Sequence, residues 1–394
     1  MPDRPPILIA GGGIGGLATA LALAKTGRRV EIFERSSSLD TAGAGIQLGP
    51  NAVKVLRQLG VADVIQPHVS TPDALVMHTG SRGTRLARMP LGDTIAQRHS
   101  APYWTIHRAD LHRALAEAVR RTDAITLTAN REVVSALTSA TGGVAVASGD
   151  GTTVTAAALI GADGLWSRVR SIIAPGVEPV PSGYCAYRAL IPVTLAGSLD
   201  PRIVGAWLSP DVHVIHYPVH AGRALNIVVI VHEPWTSTDW SAPADAATVI
   251  GLTQSFSSGL RQAIASAPQW HKWSLAEPIV LPAWHRGPVA LLGDAAHAML
   301  PFFAQGGAMA LEDAVAVAAS IAHHGGDFPA AFAAYITARQ QRTARVQVAS
   351  ANNGRVFHLS GPAALSRNVV MRLMPPSTVL ARFDWLYGYG GPVI

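Results

Sequence analysis

The sequence has one cysteine, Cys185, among 394 residues, so no disulfide can form within the chain. That suits a reducing compartment, and the expected location is the cytoplasm. Cys185 reads as a small core residue rather than a nucleophile. Charge is sparse at 14%, and the formal balance of +6 contains no run of five like charges. The scattered, Arg-rich excess fits solubility and attraction for anionic ligands. It gives no support for nucleic-acid binding. No stretch of about 18 apolar residues is free of Gly, Pro or charge, so no transmembrane helix is expected. The apolar stretch from Pro5 to Leu23 is broken by Gly11-Gly12-Gly13 and lacks a basic leader, which argues against a signal peptide. Internal repeats and low-complexity linkers are missing. His216, His220 and His232 lack metal-ligand spacing with nearby acids, so no metal is expected.

What is present is apolar: 49% of residues are hydrophobic, enough for one large or two medium domains with a sizeable core. Near the start, Pro6-Ile-Leu-Ile-Ala10 reads as a buried strand. Gly11, Gly13 and Gly16 then fill a G-x-G-x-x-G pattern. Ile14, Leu17 and Leu21 mark one face of the following helix, which ends near Gly27. Arg29–Arg35 is a second strand, ending in Glu34. In such a βαβ unit the first glycine makes the turn and the second lets backbone approach a pyrophosphate. The third lets helix pack on strand. Glu34 falls where a carboxylate accepts from an adenosine ribose. The context predicts dinucleotide binding.

Two further stretches repeat the theme of strand, glycine turn and helix. One is Ala158–Ile160, Gly161-Ala-Asp163-Gly164 and the residues to Arg170. The other is Val289–Leu292, Gly293-Asp294, Pro301, then Gln305-Gly306-Gly307-Ala308 opening an Ala-rich helix. Asp294 is placed to accept from a ribityl or ribose hydroxyl. The free N–H groups of Gly306 and Gly307 can face developing negative charge.

Between these stretches the pattern is more open. Gly43–Ala52 carries glycines suited to unusual backbone beside a flat ligand, and a helix is expected from Asn51 as N-cap to Leu59. Gln47 either touches ligand or satisfies its own loop. Leu75–Ala101 suggests strands leaving the first sheet. A helix opens at Thr105–Leu111 and runs to Arg121. Arg108 at its start either meets a cofactor phosphate or ring carbonyl, or pairs with Asp110. Residues 125–160, with Gly-Gly at 142–143, read as a small antiparallel sheet. Phe328–Ala351 reads as a helix with Arg339, Arg342 and Arg345 opposite its apolar face, and Pro375-Pro376 ends the next helix.

The three ordered motifs, Gly11–Gly16 with Glu34-Arg35, Gly161–Gly164 and Gly293-Asp294, together resemble the class A, single-component FAD-dependent aromatic hydroxylases. The resemblance covers essentially the whole chain. It is nearest to the branch of salicylate hydroxylase, 3-hydroxybenzoate 6-hydroxylase and 6-hydroxynicotinate 3-monooxygenase. Gly43–Asn51, Tyr103–Leu111, Gly293–Asp313 and Phe383–Tyr389 carry the likeness. Halogenases share the first motif, but Trp270 and Trp273 do not form their Trp-x-Trp-x-Ile-Pro signature. A prenyl reductase would want a longer apolar tunnel.

The resemblance implies an α/β fold: a Rossmann-like FAD-binding domain interleaved with a mixed β-sheet substrate domain, plus C-terminal helices. The implied FAD domain takes residues 1–75, 102–182 and 275–330. The substrate domain takes 76–101 and 183–274, and a helical segment takes 331–394. Gly11, Gly13 and Gly16, with Ile14 and Gly15 between, would cradle the FAD pyrophosphate. Glu34 would hold the ribose, Arg35 and Arg108 would flank the cofactor, and Asp294 would hold the ribityl chain. Asp163 would serve FAD and a passing NADH or NADPH, which accounts for the lack of a second G-x-G-x-x-G. Backbone N–H groups at Gly306, Gly307 and Ala308 would stabilise the anionic reduced flavin. Pro301 would lie over the flavin, and O2 would react there through a C4a-hydroperoxide.

The implied substrate is a small phenolic or hydroxylated aromatic acid, consumed with NAD(P)H and O2 by a monomer or homodimer. A larger secondary-metabolite phenol, or a flavin redox sensor without turnover, are the alternatives. Strand alternation puts His213, Ile215 and Tyr217 on one face and His216 on the other. His213 is the expected phenol base and Tyr217 its hydrogen-bonding companion, as in the 3-hydroxybenzoate and 6-hydroxynicotinate branches. Gln47 and Arg188 are further substrate candidates, Arg188 for the carboxylate or as a structural strand residue. Some 3-hydroxybenzoate 6-hydroxylases carry Gln at the Pro301 position, and the nicotinate branch carries His at the Phe302 position. Met299-Leu300-Pro301 instead leans to the salicylate group, which leaves the substrate open.

Overall fold

The computed structural model describes residues 5–38, 44–139, 143–237 and 239–394. Gly43 and Gly142, named above, lie outside them.

Four fully buried residues, Ile7–Ala10, form the middle of a six-stranded sheet. Val30–Phe33 and Ala158–Gly161 flank them in parallel, with Ala10 level with both Phe33 and Gly161. Ile125–Thr128 extends one side and Val289–Leu291 the other, also in parallel. The hairpin strand His285–Arg286 closes that side. Because the register is parallel, Ala10, Phe33, Gly161 and Leu291 all end at one edge. Three motifs more than a hundred residues apart in the chain therefore meet at the carboxyl edge, where ligands bind in such sheets.

The glycine helix, Ile14–Lys25, packs on a second helix, Gly306–His323. A Cβ on Gly15 would lie 3.0 Å from Leu292 and 3.3 Å from Ala310. Gly15 is thus a packing residue between these helices.

The second large sheet has eight strands. Four matter here: Pro181–Pro192, Ala224–His232, Val212–Val219 and Ile203–Leu208, adjacent in that order. The outer face packs Cys185, Tyr187, Val214 and Ile227 against Leu260 and Ile264 of the helix Ser258–Ala265. The inner face carries Ala186, Val228 and Ile230 against Leu300 and Phe302, and Leu208 against Phe357. Alternation in the strand Val212–Val219, here the base strand, is as expected: His216 points outward, where Trp207 Nε1 donates to its Nδ1 at 3.0 Å.

Several local expectations are corrected. Residues 125–160 are not one antiparallel sheet. Ile125–Thr128 and Ala158–Gly161 join the parallel sheet, and only the three strands between them are antiparallel. The helix expected to start at Asn51 runs Pro50–Gln58 with Gly49 as N-cap, because Pro is pre-shaped for the first helical position. Asn51 is instead buried and bonded far away. Thr105–His107 belongs to a strand, Trp104–His107, and the helix proper is Arg108–Arg120.

Candidate active site

The candidate cofactor end lies at the carboxyl edge. Gly11 has φ +105°, and a Cβ there would sit 2.5 Å from the Ala162 carbonyl oxygen. Gly16 is tighter: its Cβ would lie 1.9 Å from the Gly11 oxygen. Gly13 is different, because a Cβ there meets nothing within 4 Å. It faces a cavity of about 300 Å³ bordered by Gly11–Gly13, Glu34, Arg35, Arg108 and Asp163. The Glu34 carboxylate accepts from the N–H of Gly12 at 2.6 Å and of Ser36 at 2.8 Å. It is held at the cavity wall with lone pairs to spare.

These contrasts give a test. Gly16→Ala should destabilise the fold by about 1–3 kcal/mol, as overpacking does. Gly13→Ala should leave the melting temperature of the apoprotein unchanged yet lower FAD affinity. Flavin absorbance of the purified proteins and their thermal unfolding read the two effects apart. Equal FAD binding by Gly13→Ala and the unaltered chain would remove the pyrophosphate from this cavity.

Arg108 is not paired with Asp110. Asp110 is taken by Arg113 at 3.2 Å and by His220 at 2.9 Å, leaving the exposed Arg108 at the cavity. The nearby acid of His220, which sequence spacing did not show, is thus supplied by a helix 110 residues away. With His107, whose ring stacks on His220 at 4.6 Å, this pair ties the turn after the base strand to the start of the Arg108 helix.

Asp163 acts on its own turn. It accepts from Ser167 Oγ at 2.6 Å, Arg168 N at 2.8 Å and Val169 N at 3.1 Å, which caps the helix Arg168–Ile173. Burial raises its pKa and these bonds oppose the rise. Arg170, which sequence reasoning passed over, is 1% exposed and donates to the carbonyls of Leu165 (2.6 Å) and Ala295 (3.3 Å). It locks the second motif to the third.

At the third motif Asp294 is exposed and opens the short helix Asp294–His297. Its Oδ1 lies 3.9 Å from where a Cβ on Gly306 would be. The helix Gly306–His323 has no side-chain cap, so the N–H groups of Gly306, Gly307 and Ala308 are left for an acceptor at its positive end.

Beneath this end lies a buried ion cluster. Arg339, expected on a polar face, is 0% exposed. It donates to Asp313 (2.7 Å) and Glu312 (2.6 Å). Asp313 also accepts from the Gly293 N–H (3.0 Å) and bonds His297 Nε2 at 2.5 Å. Glu312 takes Arg342 (2.7 and 2.8 Å) and Asn51 (2.7 Å), and Asn51 also donates to Gln305 at 3.0 Å. The cluster therefore holds the Gly293 N–H directly and the Gln305 side chain through that of Asn51. Arg345 is the outward member of the stripe, stacked on Trp385 at 3.8 Å.

The candidate substrate end is the inner face of the eight-stranded sheet. His213 is 1% exposed and lies edge-on to Phe302 and Phe357. Its Nδ1 is 2.7 Å from Nε2 of His358, a residue not foreseen. Its Nε2 has no hydrogen-bond partner. Burial, reinforced by His358, pushes the His213 pKa well below the ordinary value. Tyr217 donates its hydroxyl to the Gly45 carbonyl at 2.6 Å, and Gly45 N–H donates to Asn226 at 2.8 Å. The strand Gly45–Leu48 is thus stitched to the base strand, while the adjoining Ala44 carbonyl accepts from Arg108 N–H at 3.0 Å. One short segment links the two ends of the site. Gln47 accepts from the Tyr103 hydroxyl at 2.5 Å. Pro301 begins the turn Pro301–Phe303, whose Phe302 ring fills the place of a Cβ on Gly354.

Arg188 stands two strands from the base strand on the same face. Among the described residues no carboxylate pairs with it, and its Nε is buried without a partner. It lies over Trp273 at 5.4 Å and borders a cavity of about 220 Å³ with Asn226 and His271. Burial disfavours its charge, an imbalance that an anion would relieve. No helix among the described residues is long and apolar enough to cross a membrane.

Comparison with known proteins agrees with this geometry. The family described as FAD binding domain matches residues 4–350. The 3-hydroxybenzoate 6-hydroxylase of Polaromonas naphthalenivorans (strain CJ2) is 36% identical, across 99% of this chain and 98% of its own. The 6-hydroxynicotinate 3-monooxygenase of Bordetella bronchiseptica is 34% identical, across 90% and 92%. A salicylate hydroxylase substrate complex superposes with TM-score 0.83 at 26% identity, across 99% and 96%. The chain belongs to the FAD-binding-domain family, among the class A FAD-dependent aromatic hydroxylases.

Proposed function

We propose that the protein uses NAD(P)H and O2 to hydroxylate a small phenolic aromatic acid of the 3-hydroxybenzoate, salicylate or 6-hydroxynicotinate type. The observation that carries this reading is His213: a buried imidazole on the inner sheet face whose Nε2 lacks any partner in the protein. A general base needs such a free lone pair within reach of a proton. FAD, when bound, supplies the reducing equivalents and the activated oxygen. Gly11–Gly13, Glu34, Arg35 and Arg108 hold its adenosine and pyrophosphate end. Asp294 and the N–H groups of Gly306–Ala308 hold the other.

The rest is work for the chain's own side chains. The phenol hydroxyl sits at His213 Nε2 and loses its proton there, which enriches the ring carbons ortho and para to it. Tyr217, about 13 Å further along the strand by its rise per residue, fixes Gly45 and closes the far side. The carboxylate turns toward Arg188, a half-buried guanidinium on that face whose Nε is buried without a partner. Pro301 and Phe302 exclude water above. A cytoplasmic setting and the split into a cofactor domain, a substrate domain and a helical C-terminal segment complete the reading.

The test is oxidation of NADH and of NADPH by FAD-loaded protein with salicylate, 3-hydroxybenzoate, 4-hydroxybenzoate and 6-hydroxynicotinate. Products are identified by mass. At least one acid should accelerate oxidation and return a hydroxylated product. If FAD binds yet none of the four accelerates oxidation, the acid substrate is wrong and a larger phenol takes its place.

A further inference from the structure

A phenol proton taken up at His213 enters a closed space. His213 is boxed by Phe302 at 5.4 Å and Phe357 at 5.3 Å. Among the described residues its one side-chain hydrogen-bond contact is His358, whose Nε2 is 2.7 Å from His213 Nδ1. His358 immediately follows the 30-residue helix Phe328–Phe357 as its C-cap and is half-buried, with its Nδ1 buried and without a partner. Its ring stacks on Tyr184 at 5.6 Å. Arg367 fixes this helix end by donating to the carbonyls of Val356 (2.8 Å) and Phe357 (2.9 Å).

We propose that His358 is the positioning partner of His213: it sets the tautomer of the base and takes up the phenol proton through the contact between the two rings. The proposal rests on the reading of His213 as base given above.

A single proton occupies the short contact between the two rings. If His358 supplied it, His213 would have to carry its own proton on Nε2 and could accept nothing. If His213 Nδ1 supplies it, Nε2 keeps its lone pair for the phenol. The phenol O–H bond breaks, the electron pair stays on oxygen, and an N–H bond forms at His213 Nε2. The proton on His213 Nδ1 moves to His358 Nε2. His358 Nδ1 is buried without a partner and keeps its proton, so His358 holds the charge. One proton rests on His358 and nothing is oxidised or reduced. The same path reversed returns a proton to the product oxygen and restores both tautomers.

The surroundings keep both rings neutral between passages. Burial holds the His358 pKa at about 4. Asp211, in the turn before the base strand, favours its charged form, while His232 and Arg367 oppose it. Burial and His358 likewise keep His213 neutral. Tyr184 is the remaining titratable group against the pair.

The test compares His358→Gln, His358→Ala and His213→Asn as FAD-loaded enzymes, with 3-hydroxybenzoate or whichever of the four acids turns over. Glutamine can still accept from His213 Nδ1, so KM and FAD content should hold. kcat in dilute buffer should fall about tenfold or more, within the range for a lost proton transfer. Added imidazole should restore most of it, most fully in His358→Ala, where a cavity admits it. A kcat equal to that of the unaltered enzyme in dilute buffer, or a loss that imidazole does not mend in either variant, overturns the proposal. His213→Asn separates the two readings. If it abolishes hydroxylation while His358→Gln is normal, only the relay fails. If His213→Asn is itself fully active, the base assignment fails first.

Discussion

Arg339→Met should lower the stability of the folded protein by about 3–5 kcal/mol, the usual cost of stripping one partner from a buried ion cluster. Two carboxylates that are 0% exposed, Glu312 and Asp313, depend on that guanidinium. Arg342 and Asn51 remain to Glu312, and His297 and Gly293 N–H to Asp313. The loss is therefore partial at each acid but felt at both. Arg339→Lys should fall between, since an ammonium keeps the charge but not the two-acid fork. The damage should reach the flavin, because Gly293 and Gln305 hang from this cluster. Thermal unfolding with and without added FAD measures both effects. A melting temperature unchanged in Arg339→Met would show that the cluster contributes nothing net.

The cluster also fixes a direction with pH. Burial works to raise the Asp313 pKa, but His297 and Arg339 together pull it below the ordinary carboxylate value. A carboxylate lowered in the folded state contributes stability that is full above its unfolded value of about 4 and is lost as pH falls toward the folded value. Acid unfolding should therefore sharpen below about pH 4, and Asp313→Asn should blunt it.

His213→Asn should cost hydroxylation about 10²–10⁴-fold, the span over which a positioned general base acts. FAD content should not change, since the side chain faces the sheet's inner surface and not the cavity at Gly11–Gly13. Oxidation of NADH stimulated by the aromatic acid should persist, with oxygen going to hydrogen peroxide instead of product. Product formed per NADH consumed is the quantity to follow. An unchanged ratio would take the proton-accepting role away from His213.

The legible parts of this fold are those whose physics is local. Gly11, Gly13 and Gly16 announce their turn within six residues. Parallel pairing then brings Gly161 and Leu291 level with Ala10 without further signal. Alternation alone placed His213 and Tyr217 on one face and His216 on the other. The parts not legible depend on distant partners. Arg339 shares helical spacing with Arg342 and Arg345 and so looks solvated, until Glu312 and Asp313 arrive from 27 and 26 residues away. His358 lies 145 residues from His213, just past a helix end where a polar residue is ordinary. Asn51 sits where an N-cap is expected, but Gly49 takes that position and Asn51 turns inward to Glu312. In each case local spacing admitted a bland surface role, and only tertiary packing supplied the second half of the pair.

The most direct test of the account is turnover under heavy-isotope dioxygen with the aromatic acid that stimulates NADH oxidation. The product should carry one labelled oxygen atom on the ring, and its yield should collapse in His213→Asn. Label recovered only as hydrogen peroxide or water from the unaltered, FAD-loaded enzyme, with every acid returned unchanged, would contradict it.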